Sequence, residues 1–273
     1  MKKEPIVMAI ANQKGGVGKT TTTVNIGIGL AKEGNKVLMI DFDPQGDMTT
    51  CLGVKQADEI ENTITKLMFD SVKTGKADCQ SALMHHEEGV DFIPSNIDLA
   101  DFEMQMISVF NRESILKNTI NEIKKGYDYV LIDCPPSLGM LSINALAASN
   151  EVLIPVQAQY LPAKGMTKLM ETIKRVQQQI NRDLKITGVA MTMAQQNTNI
   201  AKSTIEFIRE NYGRHIKVFD SVIPYGVKSS ESQLQGASLY AISNNSKVAK
   251  AYAGLSKEVA KQHKPKLKDI HER

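Results

Sequence analysis

The chain has 273 residues, 42% hydrophobic and 23% charged, the balance of a folded globular protein, which excludes a disordered or collagen-like chain. Its three cysteines, Cys51, Cys79 and Cys134, form no CxxC pair, so buried thiols are expected rather than a disulfide framework or a zinc ribbon. No apolar run approaches the roughly 18 residues that span a bilayer, and Met1-Lys2-Lys3-Glu4-Pro5 leads into a run too short for a signal sequence, so a cytoplasmic protein is expected.

Along the chain, Pro5 to Ala11 predicts a buried strand, Thr20 to Glu33 a helix ending near Gly34, and Lys36 to Asp41 a second buried strand. This is a βαβ opening. His85-His86, beside Glu87-Glu88, reads as a solvated loop rather than a ligand pair. Further strands are predicted at Val90–Pro94, Tyr129–Asp133, Glu151–Val156, Ile186–Met193 and Val218–Pro224, and later helices over 160–181, 200–212 and 246–263. In the last helix Val248, Tyr252, Leu255 and Val259 share one face. Alternating strands and helices predict an α/β chain: a doubly wound, mostly parallel sheet with helices on both faces. Without repeats or linkers, one domain is expected over 1–263, followed by a basic tail, 264–273, that frays.

Charge is unevenly placed. Residues 1–159 hold 14 Lys+Arg against 21 Asp+Glu, whereas the remainder holds 19 against 9. Such asymmetry fits a polyanion partner, although charges spread over solvated helix faces would produce the same count.

Between the first strand and first helix lies Asn12-Gln13-Lys14-Gly15-Gly16-Val17-Gly18-Lys19-Thr20-Thr21. A phosphate-binding loop belongs at such a junction, because the helix N-terminus then faces the anion. Gly15, Gly16 and Gly18 let successive N–H groups turn inward, Lys19 can reach β- and γ-phosphates, and the Thr20 hydroxyl can ligate Mg²⁺. Gln13 stands where the generic loop has its first glycine, and Lys14 adds a second lysine, which makes this the deviant form. Asp41 and Asp43 end the second strand and Asp133 ends Tyr129-Val130-Leu131-Ile132. Ligands bind at that edge of an open α/β sheet, so these carboxylates can hold Mg²⁺ and position an attacking water. Pro135-Pro136 excludes helix directly after Asp133 and predicts a stiff switch segment.

These motifs resemble the ParA/MinD class of deviant Walker P-loop ATPases, and within it ParA-type partition proteins of the short form, over about Ile6 to Ala260. The resemblance rests on residues 11–22, on Asp41-Phe42-Asp43-Pro44-Gln45-Gly46-Asp47, on Asp133-Cys134-Pro135-Pro136-Ser137, and on Ile223-Pro224 leading into Ser230-Glu231. It implies a Mg²⁺-dependent ATPase, slow when alone, whose ATP-bound form is a sandwich homodimer with Lys14 reaching the partner subunit's phosphates. Gly15, Gly16, Val17, Gly18, Lys19, Thr20 and Thr21 would bind the chain's own nucleotide. Asp43 would orient the hydrolytic water, Thr20, Asp41 and Asp133 would hold Mg²⁺, and Thr192, Pro224, Tyr225 and Val227 would flank the adenine.

The same resemblance implies sequence-nonspecific binding of double-stranded DNA on a basic C-terminal face, a ParB-like partner that stimulates hydrolysis, and residence on the nucleoid. Lys228 is a candidate DNA contact, and helix 160–181 with Lys164, Lys168, Lys174 and Arg175 is another. Tyr225 replaces an arginine common in relatives and Asp47 an asparagine. No residues precede the loop that could form a helix-turn-helix domain, so sequence-specific repression is not expected. A MinD-like or other cargo-positioning ATPase acting on a protein assembly or membrane is the alternative; Lys264 to Arg273, with Pro265 and two large apolar residues, lacks the apolar stripe of a membrane helix, and no membrane partner is expected. An iron–sulfur carrier would need paired thiolates, which the three cysteines do not offer.

Overall fold

A computed structural model of the chain describes residues 4–159, 163–195 and 197–263. The expected tail 264–273 and the start of helix 160–181 lie outside the described residues, as does the Lys164 side chain.

Seven strands form one sheet: β1 (Ile6–Ile10), β2 (Val37–Asp41), β3 (Met84–His86), β4 (Val90–Ile93), β5 (Tyr129–Asp133), β6 (Glu151–Gln157) and β7 (Lys185–Thr192). Their spatial order is β3-β4-β2-β5-β1-β6-β7. Every pairing is parallel except that of β3 with β4 at the edge. The helices between them are α1 (Lys19–Lys32), α2 (Asp47–Cys51), α3 (Ile64–Thr74), α4 (Asp98–Gln105), α5 (Ile115–Thr119), α6 (Met140–Ala148), α7 (Ala163–Gln179), α8 (Asn199–Tyr212), α9 (Lys228–Gln235), α10 (Leu239–Ser243) and α11 (Lys247–His263).

The central strands read as unbroken apolar runs because each is buried on both faces. In β2, Leu38 and Ile40 enter the core shared with α3 to α8, whereas Val37 and Met39 enter the core shared with α1, α2, α10 and α11. The predicted doubly wound α/β architecture is therefore present. The expected stripe on α11 is buried, with Val248, Tyr252, Leu255 and Val259 all packed in the second core. All three cysteines are buried and free, and among the described residues no helix is long and apolar enough to cross a membrane.

Two expectations need correction. Val218–Pro224 is not a strand: it touches the sheet side only through isolated bridges, Val189 with Val218 and Ala194 with Pro224. Phe219 and Ile223 donate to β7 carbonyls, but between them the Asp220 and Ser221 amides donate to Glu258 of α11 at 2.9 and 2.8 Å, which interrupts a continuous ladder. His85-His86 is not a solvated loop but part of β3, where His85 meets Asp91 at 2.7 Å and His86 is buried.

α1 and α11 pack closely enough to need a glycine at the crossing. A Cβ on Gly29 would run into the Ser256 hydroxyl and, at 2.8 Å, the Tyr240 hydroxyl. Gly29→Ala should therefore lower stability by about 1–3 kcal/mol through overpacking, although alanine is the better helix former. Urea unfolding measures this directly, and an unchanged midpoint would contradict the packing account.

Candidate active site

The register of the sheet assembles the site. Ile10, Asp133 and Asp41 are paired across β1, β5 and β2, so three adjacent strands end in one row. The loop leaving β1 at that row runs to α1. Asn12 fixes its entry: the side-chain amide donates to the Pro155 carbonyl of β6 at 2.7 Å, and its Oδ1 accepts from the Lys14 amide at 3.0 Å. Gly16 and Gly18 take φ of 71° and 81°, the left-handed region that a side chain would oppose. Gly18 is also the N-cap of α1 and supplies no capping side chain, which leaves the helix's first N–H groups without a side-chain acceptor. An anion is the natural occupant of such a helix start.

The threonines that follow point to different places. Thr20 is half-buried at the mouth, while Lys19 is buried. Thr21 accepts from Gln233 of α9 at 3.1 Å, and Thr22 meets the Tyr252 hydroxyl of α11 at 3.1 Å. Thr23 donates to Asp133 Oδ1 at 3.1 Å. Asp133 Oδ2, fully buried, has no hydrogen-bond partner.

Asp41 is likewise fully buried, and its Oδ2 accepts from the Thr49 amide and hydroxyl at 2.8 and 2.7 Å. Burial pushes Asp41 up to about 7, against the pull of the Thr49 hydrogen bonds. Asp133 rises to about 8, through burial first and the neighbouring Asp41 charge second, with Thr20 and Lys19 pulling down. Asp43 is buried and accepts from the Gln45 amide at 3.0 Å, and its own amide donates to Asp41 Oδ1 at 3.3 Å. Asp47 opens α2 with its pKa raised by partial burial and then by Asp43.

These residues fit a divalent cation beside a phosphate. The unpartnered Asp133 oxygen and the adjacent Asp41 are a charge deficit that a cation relieves. Among the described residues no group of three or more His, Cys, Asp or Glu could cage a metal alone. That suits Mg²⁺, which keeps waters and takes oxygens from a phosphate and one or two protein groups.

The other predicted residues fall around this centre. Lys14 is exposed, its Nζ 3.4 Å from Gln157 Oε1 at the end of β6, and Gly15 and Gly16 are exposed beside it. Val17 is buried, and its carbonyl accepts from the Thr192 hydroxyl at 2.8 Å, so Thr192 braces the loop from the end of β7. Pro224 bridges to Ala194, the Tyr225 amide donates to the Ala194 carbonyl at 3.1 Å, and Tyr225 and Val227 are 63% and 66% exposed. Lys228 begins α9 in an ion pair with Glu231 at 2.5 Å. Sequence reasoning missed Thr23 and Thr49, whose threonine letters carry no mark of the carboxylates they hold.

The chain matches the family model described as an AAA domain over residues 6–186. It is 42% identical over 254 residues to the sporulation initiation inhibitor protein Soj of Bacillus subtilis, covering 93% of this chain and 98% of that protein. The chain belongs to the ParA/Soj family of partition ATPases. The chromosome partitioning protein ParA of Myxococcus xanthus is 37% identical over 262 residues, 95% of this chain and 89% of that protein. Among solved structures, a cobyrinic acid a,c-diamide synthase from Mycobacterium smegmatis with bound ADP and magnesium superposes with a TM-score of 0.80 at 33% identity, covering 93% of each chain. Nucleotide and magnesium thus accompany this ParA/MinD-type fold in a solved neighbour.

The raised carboxylates set a pH dependence. A carboxyl whose pKa is higher folded than unfolded stabilises the fold while protonated, and that contribution disappears as pH rises through the folded value. The nucleotide-free ParA/Soj chain should lose thermal stability between about pH 4 and about pH 8 as Asp41 and Asp133 ionise. Asp133→Asn should flatten that slope in melting curves taken across the range; an unaltered slope would place its origin elsewhere.

Proposed function

We propose that the chain is a Mg²⁺-dependent ATPase that forms a sandwich homodimer on ATP, binds double-stranded DNA without sequence preference in that state, and leaves it after hydrolysis stimulated by a ParB-like partner. The observation that carries the reading is the row of Asp41 and Asp133, one carboxylate oxygen unpaired, beside an uncapped helix N-terminus. Bound Mg²⁺ would neutralise charge on the β- and γ-phosphates, held by Thr20 with Asp41 and Asp133 behind it.

The chain's own residues then divide the work. Backbone N–H groups of Gly15 to Thr21 and the buried Lys19 cradle the phosphates, while Thr192 keeps Val17 in place from behind. Asp43 holds the attacking water and draws its proton, its orientation set by the Gln45 amide. Lys14, exposed on the open face, reaches the phosphates of a second copy. Thr192, Pro224, Tyr225 and Val227 flank the base, with Tyr225 supplying an exposed ring where relatives carry an arginine.

For DNA, the C-terminal half supplies cations on helices whose other faces are buried. In α7, Met166, Leu169, Ile173 and Val176 pack inward while Lys168, Lys174 and Arg175 are exposed. Lys228 joins this set at the price of its Glu231 partner. Neutralising backbone phosphates with such lysines and arginines makes affinity steeply salt-dependent and indifferent to base sequence. The apolar stripe of α11 is already consumed by the core and is not available to a membrane. On this reading the chain works on the nucleoid, as one ATPase domain.

Two expectations test the proposal. Lys19→Ala should abolish nucleotide binding, Lys14→Ala should bind nucleotide as a monomer without dimerising, and Asp43→Ala should lower turnover by about 10²-fold or more and hold the dimer on DNA. Wild-type turnover by Asp43→Ala would remove it from the water-positioning role. In a salt series with random-sequence duplex, Asp43→Ala should bind with ATP and not with ADP, and Lys228→Ala should weaken every sequence alike and reduce the salt slope by about 1. Binding that ignores nucleotide, or a changed sequence preference, would contradict the model.

A further inference from the structure

The two buried carboxylates are held in unequal ways. Asp41 Oδ2 accepts twice from one residue, Thr49, whose amide and hydroxyl lie 2.8 and 2.7 Å away. The amide is available because Thr49 stands in the first turn of α2, where a helical N–H has no partner within the helix. The hydroxyl has a single hydrogen, and its direction is set from behind. The Ser95 amide donates to Thr49 Oγ1 at 3.0 Å, so the hydroxyl hydrogen is left to Asp41. Thr49, Ser95 and Asp41 are all fully buried, out of reach of bulk water. Thr23 holds Asp133 more loosely: its one hydroxyl hydrogen lies between two acceptors, the Lys19 carbonyl at 3.0 Å and Asp133 Oδ1 at 3.1 Å.

Ser95 is itself placed by the sheet. It follows β4 by two residues, and β4 pairs with β2 so that Ile93 stands beside Ile40, the residue before Asp41. The chain from Asp43 to α2 folds back against that exit. Gly46 takes a φ of 63° there, and a Cβ on it would come within 3.1 Å of the Ser95 carbonyl. The path from the end of β4 through Thr49 to Asp41 thus sets one carboxylate from outside the phosphate loop.

Both lone pairs of Oδ2 are occupied by the Thr49 donors, which leaves Oδ1 to meet a cation or its water. On that oxygen only the Asp43 amide approaches, at 3.3 Å. We propose that Thr49, backed by the Ser95 amide, is a positioning residue for the divalent cation, fixing which oxygen of Asp41 is presented to it. The inference rests on the reading of Asp41 and Asp133 as the Mg²⁺ side of the nucleotide site. A fixed carboxylate suits Mg²⁺, which keeps its waters and tolerates little departure from octahedral geometry. Outer-shell partners of metal-site carboxylates typically govern affinity by about 10- to 100-fold.

The test uses the full chain with a non-hydrolysable ATP analogue and Mn²⁺ as the probe ion, free Mn²⁺ being read by electron paramagnetic resonance. Thr49→Val keeps the amide and the shape but removes the hydroxyl. It should weaken Mn²⁺ binding about 10-fold or more, while Thr49→Ser stays within about 3-fold of wild type. Binding of a fluorescent ADP in EDTA should be the same in all three. Asp41→Asn checks the route: adding Thr49→Val to it should lower Mn²⁺ affinity no further, because the carboxylate that Thr49 orients is gone. A threonine that only supports the fold would lower the melting temperature and leave Mn²⁺ affinity alone, or would act equally on both backgrounds, and either result overturns the proposal. If Thr49→Val does not fold, Thr49→Cys, close in volume and a weak donor, takes its place, and wild-type Mn²⁺ affinity in that variant is the overturning result. A wild type that binds no Mn²⁺ with the analogue overturns the Mg²⁺ reading and this inference with it, whereas wild-type binding matched by Thr49→Val removes the inference alone.

Discussion

Two carboxylates placed side by side out of water, Asp41 and Asp133, are the constraint on which the rest of the site depends. A parallel sheet puts paired residues of neighbouring strands on one face, so the register of β2 against β5 creates the juxtaposition without any loop taking part. Burying two like charges is unfavourable unless hydrogen bonds and a cation offset it. Thr49 grips Asp41 and Thr23 grips Asp133, yet one oxygen stays unmet. The fold holds this imbalance in place because every residue of the two strands that carry it is buried.

α1 converts that local imbalance into a connected structure. Its hydroxyls at Thr21, Thr22 and Thr23 reach α9, α11 and β5, three elements from distant parts of the chain. Successive helical residues turn about 100°, so a run of threonines is a way to tie one helix to its surroundings in three directions. The orientation of the helix start, and of the N–H groups it offers to an anion, is consequently set from three sides. Close approach at Gly29 holds the other end of the same helix against α11.

The sequence was most informative where chemistry is contiguous. The phosphate loop compresses glycines, a lysine and a threonine into a strand-to-helix junction, and the buried strands announce themselves as apolar runs. It was least informative where a residue's partner is far away in the chain. Thr23 reads as an ordinary helix residue and Thr49 carries no signal at all until the fold brings Asp133 and Asp41 to them. Thr192, expected beside the base, also donates its hydroxyl to the Val17 carbonyl, 175 positions away, a contact that nothing local announces. The apolar pattern of Val218–Pro224 suggested a strand because nothing local reveals that Glu258 captures two of its amides. β3 escaped notice for the opposite reason: three residues, two of them histidines, are too few to establish a period.

The cysteines carry a consequence of another kind. Cys51 lies in α2 and Cys134 directly follows Asp133, while the Cys79 thiol donates to the Thr119 carbonyl across the far core. Burial raises all three thiols, Cys51 to about 12 and Cys79 to about 11, so almost none is thiolate near neutral pH. Alkylating reagents attack the thiolate and need access to it. The folded chain is therefore silent toward them, and each sulfur that does react marks the opening of its own region. Cys51 and Cys134 report opening around the site carboxylates and Cys79 opening of the packing over Thr119, and a cysteine introduced on the surface would be labelled without removing any of them.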